Sequence, residues 1–105
     1  MLDSTVLLLR IAATWPLPGL GLLALPEGAT PRLVSYPLHT PLAVAAVLPN
    51  GRTHRGQATV EEIARTVSVE RGLLLDFSPV LIEQLAAGTE IWLLEEAAGP
   101  FGLEP

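Results

Sequence analysis

The chain has 105 residues, half of them hydrophobic and only 16% charged, which suits one domain around one core and is too apolar for a disordered segment. Eleven acidic residues against six basic ones leave a net charge of -5; this disfavours nucleic acid as a partner, because such affinity comes from counterions released around cationic side chains. There is no lysine and no cysteine, so Schiff bases, phosphate-loop lysines, thiol nucleophiles, disulfides and cysteine-ligated metals are excluded.

The first apolar run carries Asp3 before it and Arg10 within it, which is not the pattern of a secretory signal, and the expectation is a cytoplasmic protein. The stretch WPLPGLGLLALP, Trp15 to Pro26, is apolar enough to suggest a membrane segment. A spanning helix needs roughly 20 apolar residues without helix breakers, whereas Pro16, Pro18, Gly19 and Gly21 interrupt this one. It reads instead as the corner of a soluble fold. Thr5 to Ala13 is predicted as a strand, Pro16 and Pro18 stop it, Gly19 and Gly21 permit the reversal, and Leu22 to Leu25 form a second strand.

Glu27 to Pro41 contains three prolines and is predicted as an extended loop with some pairing around Leu33 to Ser35. Leu42 to Leu48 is a strand apolar on both faces, as at a barrel wall with something packed over it. It leads into Asn50-Gly51, which predicts a hairpin with a type I′ turn. In the returning arm Ala58 and Val60 are in phase, but Ile63 comes three positions after Val60. A bulge at Glu61-Glu62 restores the phase; the alternative is a short helix over 59–66, capped by Thr59 with Glu62 three residues on. ERGLLLDF places Leu73, Leu75 and Phe77 on one face of a further strand. Ser78-Pro79 then predicts a short helical turn near 79–86, ended by Gly88. TEIWLL is the last strand, and 96–105 reads as a flexible tail after a single domain over 1–95. The expected fold is all-β, a small closed antiparallel barrel of about six strands.

Strand, Pro-Gly-x-Gly turn, strand, loop, hairpin, Gly-led strand, helical turn and Gly-Thr-led strand is an order that resembles the second domain of translational GTPases such as elongation factor Tu. Three pieces carry the resemblance: WPLPGLGLLAL, GLLLDF and AAGTEIWL. Together they span Thr5 to Leu94, and the resemblance implies a closed antiparallel β-barrel. The family's Gly-xxxx-Gly-Asp segment has no counterpart; the proline-rich TPRLVSYPLHTP stands in its place. No GxxxxGK[ST] loop exists in this chain, so GTP hydrolysis does not come with the resemblance. The family's aminoacyl-tRNA pocket does not carry over residue by residue.

His39 and His54 lie in no HxxH, HxH or HExxH spacing, and no serine sits in a GxSxG turn, so no catalytic residue, metal or cofactor is expected. Glu61 and Glu62 are adjacent and would face opposite sides of a strand, unsuited to paired-carboxylate chemistry. RTHR, Arg52 to Arg55, offers either a local anion contact or a solvated hairpin flank. Trp15, Tyr36, Trp92 and Phe101 are candidate partner anchors, the alternative being that Trp92 or Trp15 plugs a barrel end. Trp92 and Leu94 fall on the face opposite Ile91 and Leu93, where an interface, including a homo-oligomeric one, is expected. The candidate binding residues are therefore Trp15, Tyr36, His39, Arg52, Arg55 and Trp92. The function expected is a non-enzymatic interaction or accessory module whose partner is another protein, with no membrane involvement. The alternative is a small-molecule or nucleotide-end binding domain with a groove near Tyr36, His39 and the Arg52 to Arg55 tip.

Overall fold

The structure, a computed structural model, describes residues 6–94. The expected tail and Phe101 lie outside the described residues. Six strands, β1 (Val6–Leu17), β2 (Gly21–Pro26), β3 (Pro41–Val47), β4 (Thr53–Ala64), β5 (Val69–Asp76) and β6 (Glu90–Leu93), close into an antiparallel barrel in the order β1-β2-β5-β4-β3-β6. Two single helical turns, α1 (Pro31–Val34) and α2 (Pro79–Ile82), interrupt the connections. Among the described residues no helix is long and apolar enough to cross a membrane.

β1 serves two neighbours. Val6 to Arg10 pair with β6 and Ile11 to Leu17 with β2, and the register shifts between Leu7 and Leu9 and again between Ile11 and Ala13. Such irregularities bend and twist a strand, as closure requires. At the bend, the Ile11 N–H donates to the Thr89 carbonyl at 2.8 Å and the Gly88 N–H donates to the Ile11 carbonyl at 2.8 Å. The strand thus runs past Ala13, and Pro16 lies inside it opposite Leu22 rather than ending it. Beyond Arg10 only β2 pairs with β1, an edge position that a residue without an N–H tolerates. The reversal itself falls where expected, with Gly19 at φ 79 and Gly21 at φ 141.

The inward face explains why the barrel closes. Ile11, Val44, Val60, Leu73, Leu75 and Ile91 are fully buried in one cluster that draws on five strands, each such side chain contributing about 1.5–3 kcal/mol by leaving water. α1 inserts Leu33, also fully buried. Leu33 to Ser35 are therefore not a paired segment. Pro31 occupies the first helical turn, where its missing N–H costs nothing, and the Thr30 hydroxyl donates to the Arg71 carbonyl at 3.0 Å, tying the turn to β5. α2 follows Ser78 as expected but is one turn long, without a side-chain cap; the N–H groups of Leu81 and Ile82 donate to the Ser78 carbonyl, each at 2.9 Å.

Two further expectations are corrected. At the β3–β4 hairpin the Gly51 N–H donates to the Leu48 carbonyl at 2.8 Å, and the Leu48 N–H donates to the Arg52 carbonyl at 2.8 Å. Only Gly51 in this loop has positive φ, 92°. This is a three-residue loop closed by a glycine bulge, not a two-residue type I′ turn, because Pro49 has no N–H to donate to Arg52 across a two-residue loop, and its φ near −65° suits the start of a type I turn. In the β4–β5 ladder the register is unbroken from Gln57 opposite Asp76 to Ala64 opposite Val69, so neither a bulge at Glu61-Glu62 nor a helix over 59–66 forms. Ile63 lies on the outer face instead. A Cβ on Gly72 would sit 2.4 Å from Ile63 Cδ1, so the isoleucine occupies the notch that this glycine leaves.

Candidate functional site

Residues directly opposite one another in an antiparallel ladder share a face, so the register defines rows on the outer surface. One row runs Leu7, Trp92, Ala45, Arg55 across β1, β6, β3 and β4. Ala45 points outward yet is only 3% exposed, and the small residue leaves room for larger neighbours on both sides. The Trp92 Nε1–H donates to Glu90 Oε1 at 3.1 Å, and Glu90 also pairs with Arg10. Trp92 and Leu94 are both half-buried. The last strand is thus less open than its alternation suggests.

A second row runs Trp15, Leu23, Leu74, Thr59 across β1, β2, β5 and β4. Trp15 is 61% exposed, so it plugs neither end of the barrel, and Leu23 and Leu74 beside it are half-buried. Two residues further along β1, the hairpin tip borders a groove of about 480 Å³. Pro16, Leu17 and Leu20 line one side, and Phe77, Pro79 and Ile82 the other. Leu20 is 65% exposed. Gly21 adds no side chain to the groove, since a Cβ there would lie 2.4 Å from the Leu75 carbonyl oxygen. Asp76 and Glu83 also line it; both are exposed, and neither carboxylate has a hydrogen-bond or ion-pair partner among the described residues.

His39 sits in a left-handed conformation, φ 70, the one non-glycine residue to do so among the described residues. Its N–H donates to the Val60 carbonyl at 2.6 Å, and Nδ1 lies 3.0 Å from Glu61 Oε1. The Thr59 hydroxyl donates to Glu61 Oε2 at 2.9 Å. A carboxylate only accepts, so the hydrogen is on Nδ1 and Nε2 is left toward solvent. Tyr36 packs half-buried against the core, and its carbonyl accepts a hydrogen bond from the Arg71 guanidinium at 2.9 Å.

Arg52 and Arg55 are at the far end of β4 from Glu61. Arg52 follows the hairpin loop, with its N–H donating to Asn50 Oδ1 at 2.9 Å. Arg55 and Glu61 are six positions apart along the strand, which corresponds to about 20 Å. The residues of the expected small-molecule groove, Tyr36 and His39 on one side and Arg52 and Arg55 on the other, are thus not brought together. His54 faces inward opposite Ala46, and its Nε2 is buried without a hydrogen-bond partner. Among the described residues no three His, Asp or Glu side chains converge to hold a metal ion.

The hairpin-tip groove escapes sequence reasoning because residues 16–21 and 76–83 are far apart in the chain and share no motif. Comparison with protein-family models, with curated proteins and with solved structures finds no match for this chain.

Proposed function

We propose that this barrel is a non-enzymatic interaction module that works in the cytoplasm as an accessory to another protein, presenting the outer face of β1, β2 and β5. The observation that carries the reading is Trp15, 61% exposed beside Leu23 and Leu74. A large aromatic held on a rigid strand gives a partner much apolar area at low entropic cost. The resemblance to the second domain of translational GTPases supports the accessory role by analogy.

The test is affinity capture from native extract with the full chain, Trp15→Ala and Trp92→Ala, each checked for an unchanged melting curve. A partner retained by the wild type and lost with Trp15→Ala supports the reading. Loss with Trp92→Ala alone, or self-association abolished by it, moves the interface to the other row. An activity or small-molecule affinity that depends on His39 or on Arg52 would overturn the proposal.

A further inference from the structure

We infer that the groove at the β1–β2 hairpin tip takes a cationic, apolar segment of a partner protein, with a large apolar side chain seated between Leu20 and Ile82 and an arginine or lysine nearby reaching Asp76 and Glu83. This rests on the interaction-module reading and names the chemistry of the partner. The groove is a shallow, open depression of about 480 Å³, a surface on which an extended segment can lie rather than a cleft that encloses a small molecule. Pro16 and Pro79 on its two sides stiffen it, so little order is lost on binding.

Charge selects the occupant. Asp76 and Glu83 have no cationic partner among the described residues, and the whole chain carries -5, which steers a basic segment toward it and an acidic one away. The contrast with a second groove, about 430 Å³, lined by Val34, Val69, Glu70 and Arg71, is informative. There Glu70 pairs with Arg65 at 3.3 Å and Arg71 donates to the Tyr36 carbonyl, so its charges are engaged within the fold. Of these two grooves, it is the hairpin-tip one that combines apolar walls with uncommitted carboxylates.

The experiment is selection of a displayed library of random dodecapeptides on the immobilised full chain, followed by titration of one enriched synthetic peptide. Enriched sequences should place Leu, Ile, Phe or Trp within three positions of Arg or Lys. The chosen peptide should lose about tenfold or more in affinity with Leu20→Asp and with the Asp76→Asn/Glu83→Gln pair. Selection on Asp76→Arg/Glu83→Arg should reverse the preference toward acidic peptides. Leu20, Asp76 and Glu83 are exposed, so these variants fold, as a melting curve checks. Failure to enrich, enrichment of neutral or acidic peptides on the wild type, or binding indifferent to the groove variants overturns the inference. Peptides lost with Trp15→Ala but not with Leu20→Asp overturn the groove while leaving the interaction module standing.

Discussion

Replacing Gly21 by alanine should destabilise the barrel far more than replacing Gly19, although both belong to one turn and both have positive φ. At Gly19, φ 79, an added Cβ meets nothing within 4 Å, so only the backbone conformation is penalised, by about 1–2 kcal/mol. At Gly21, φ 141, the Cβ would lie 2.4 Å from the Leu75 carbonyl oxygen and 3.5 Å from Leu74 Cδ1. Backbone cannot rotate away as a side chain does, so relief means moving β2 off β5, a ladder with only the pairs Leu22–Leu75, Leu23–Leu74 and Ala24–Leu73. Conformational strain and overpacking, about 1–3 kcal/mol each, sum to roughly 2–6 kcal/mol against a total of about 5–15 kcal/mol for a domain. Each kcal/mol moves Tm by about 4–8 °C at this size. Far-ultraviolet circular dichroism during heating and in urea reads both variants. Gly21→Ala should lose at least about twice as much as Gly19→Ala, or fail to fold; equal shifts would refute the idea that backbone contact sets the β2–β5 distance.

Leu73→Ala, at a fully buried position, should cost about 2–5 kcal/mol in urea unfolding with an unchanged m-value. Trp15→Ala should leave stability within about 0.5 kcal/mol, whereas Trp92→Ala removes a half-buried indole and its bond to Glu90 and should cost about 1–3 kcal/mol; a larger loss at Trp15 would mean that its ring is covered. His39→Gly should be more stable than His39→Ala by about 1 kcal/mol in denaturant titration, because both remove the Glu61 contact and only glycine is at ease at φ 70. Equal midpoints for the two would show that this turn relaxes freely.

What the sequence discloses about this barrel is what single residues impose on their own backbone. Gly19, Gly21 and Pro18 marked the first corner, and Ser78-Pro79 marked α2, because missing N–H groups and positive φ are local requirements. Thr30-Pro31 carries the same signature as Ser78-Pro79, so α1 was readable by the rule that found α2. The loop after β3 was readable too: Pro49 has no N–H with which to close a two-residue turn against Arg52, so the pairing steps back to Leu48 and three residues form the loop. Ile63 was not. Its place depends on Gly72, a residue on another strand, and no periodicity within β4 reports a vacancy across the ladder. The candidate surface divides the same way. An exposed tryptophan can be suspected from its neighbours, but the groove exists only because pairing of β5 with β2 carries the segment after β5 to the tip of the first hairpin.

β6 is four residues long, and it is the strand that joins β1 to β3: Leu93 pairs with Val6 on one side and Val44 on the other. During synthesis, therefore, the first strand made waits for the last before it gains its second neighbour. Until that moment β1 and β3 both present bare edges, the surfaces on which chains pair with one another, and the long sequence separation of the closing contacts slows the step toward milliseconds to seconds. The shortest strand is the latch of the ring, and the time a nascent chain spends before it shuts is the period in which it is most exposed to aggregation.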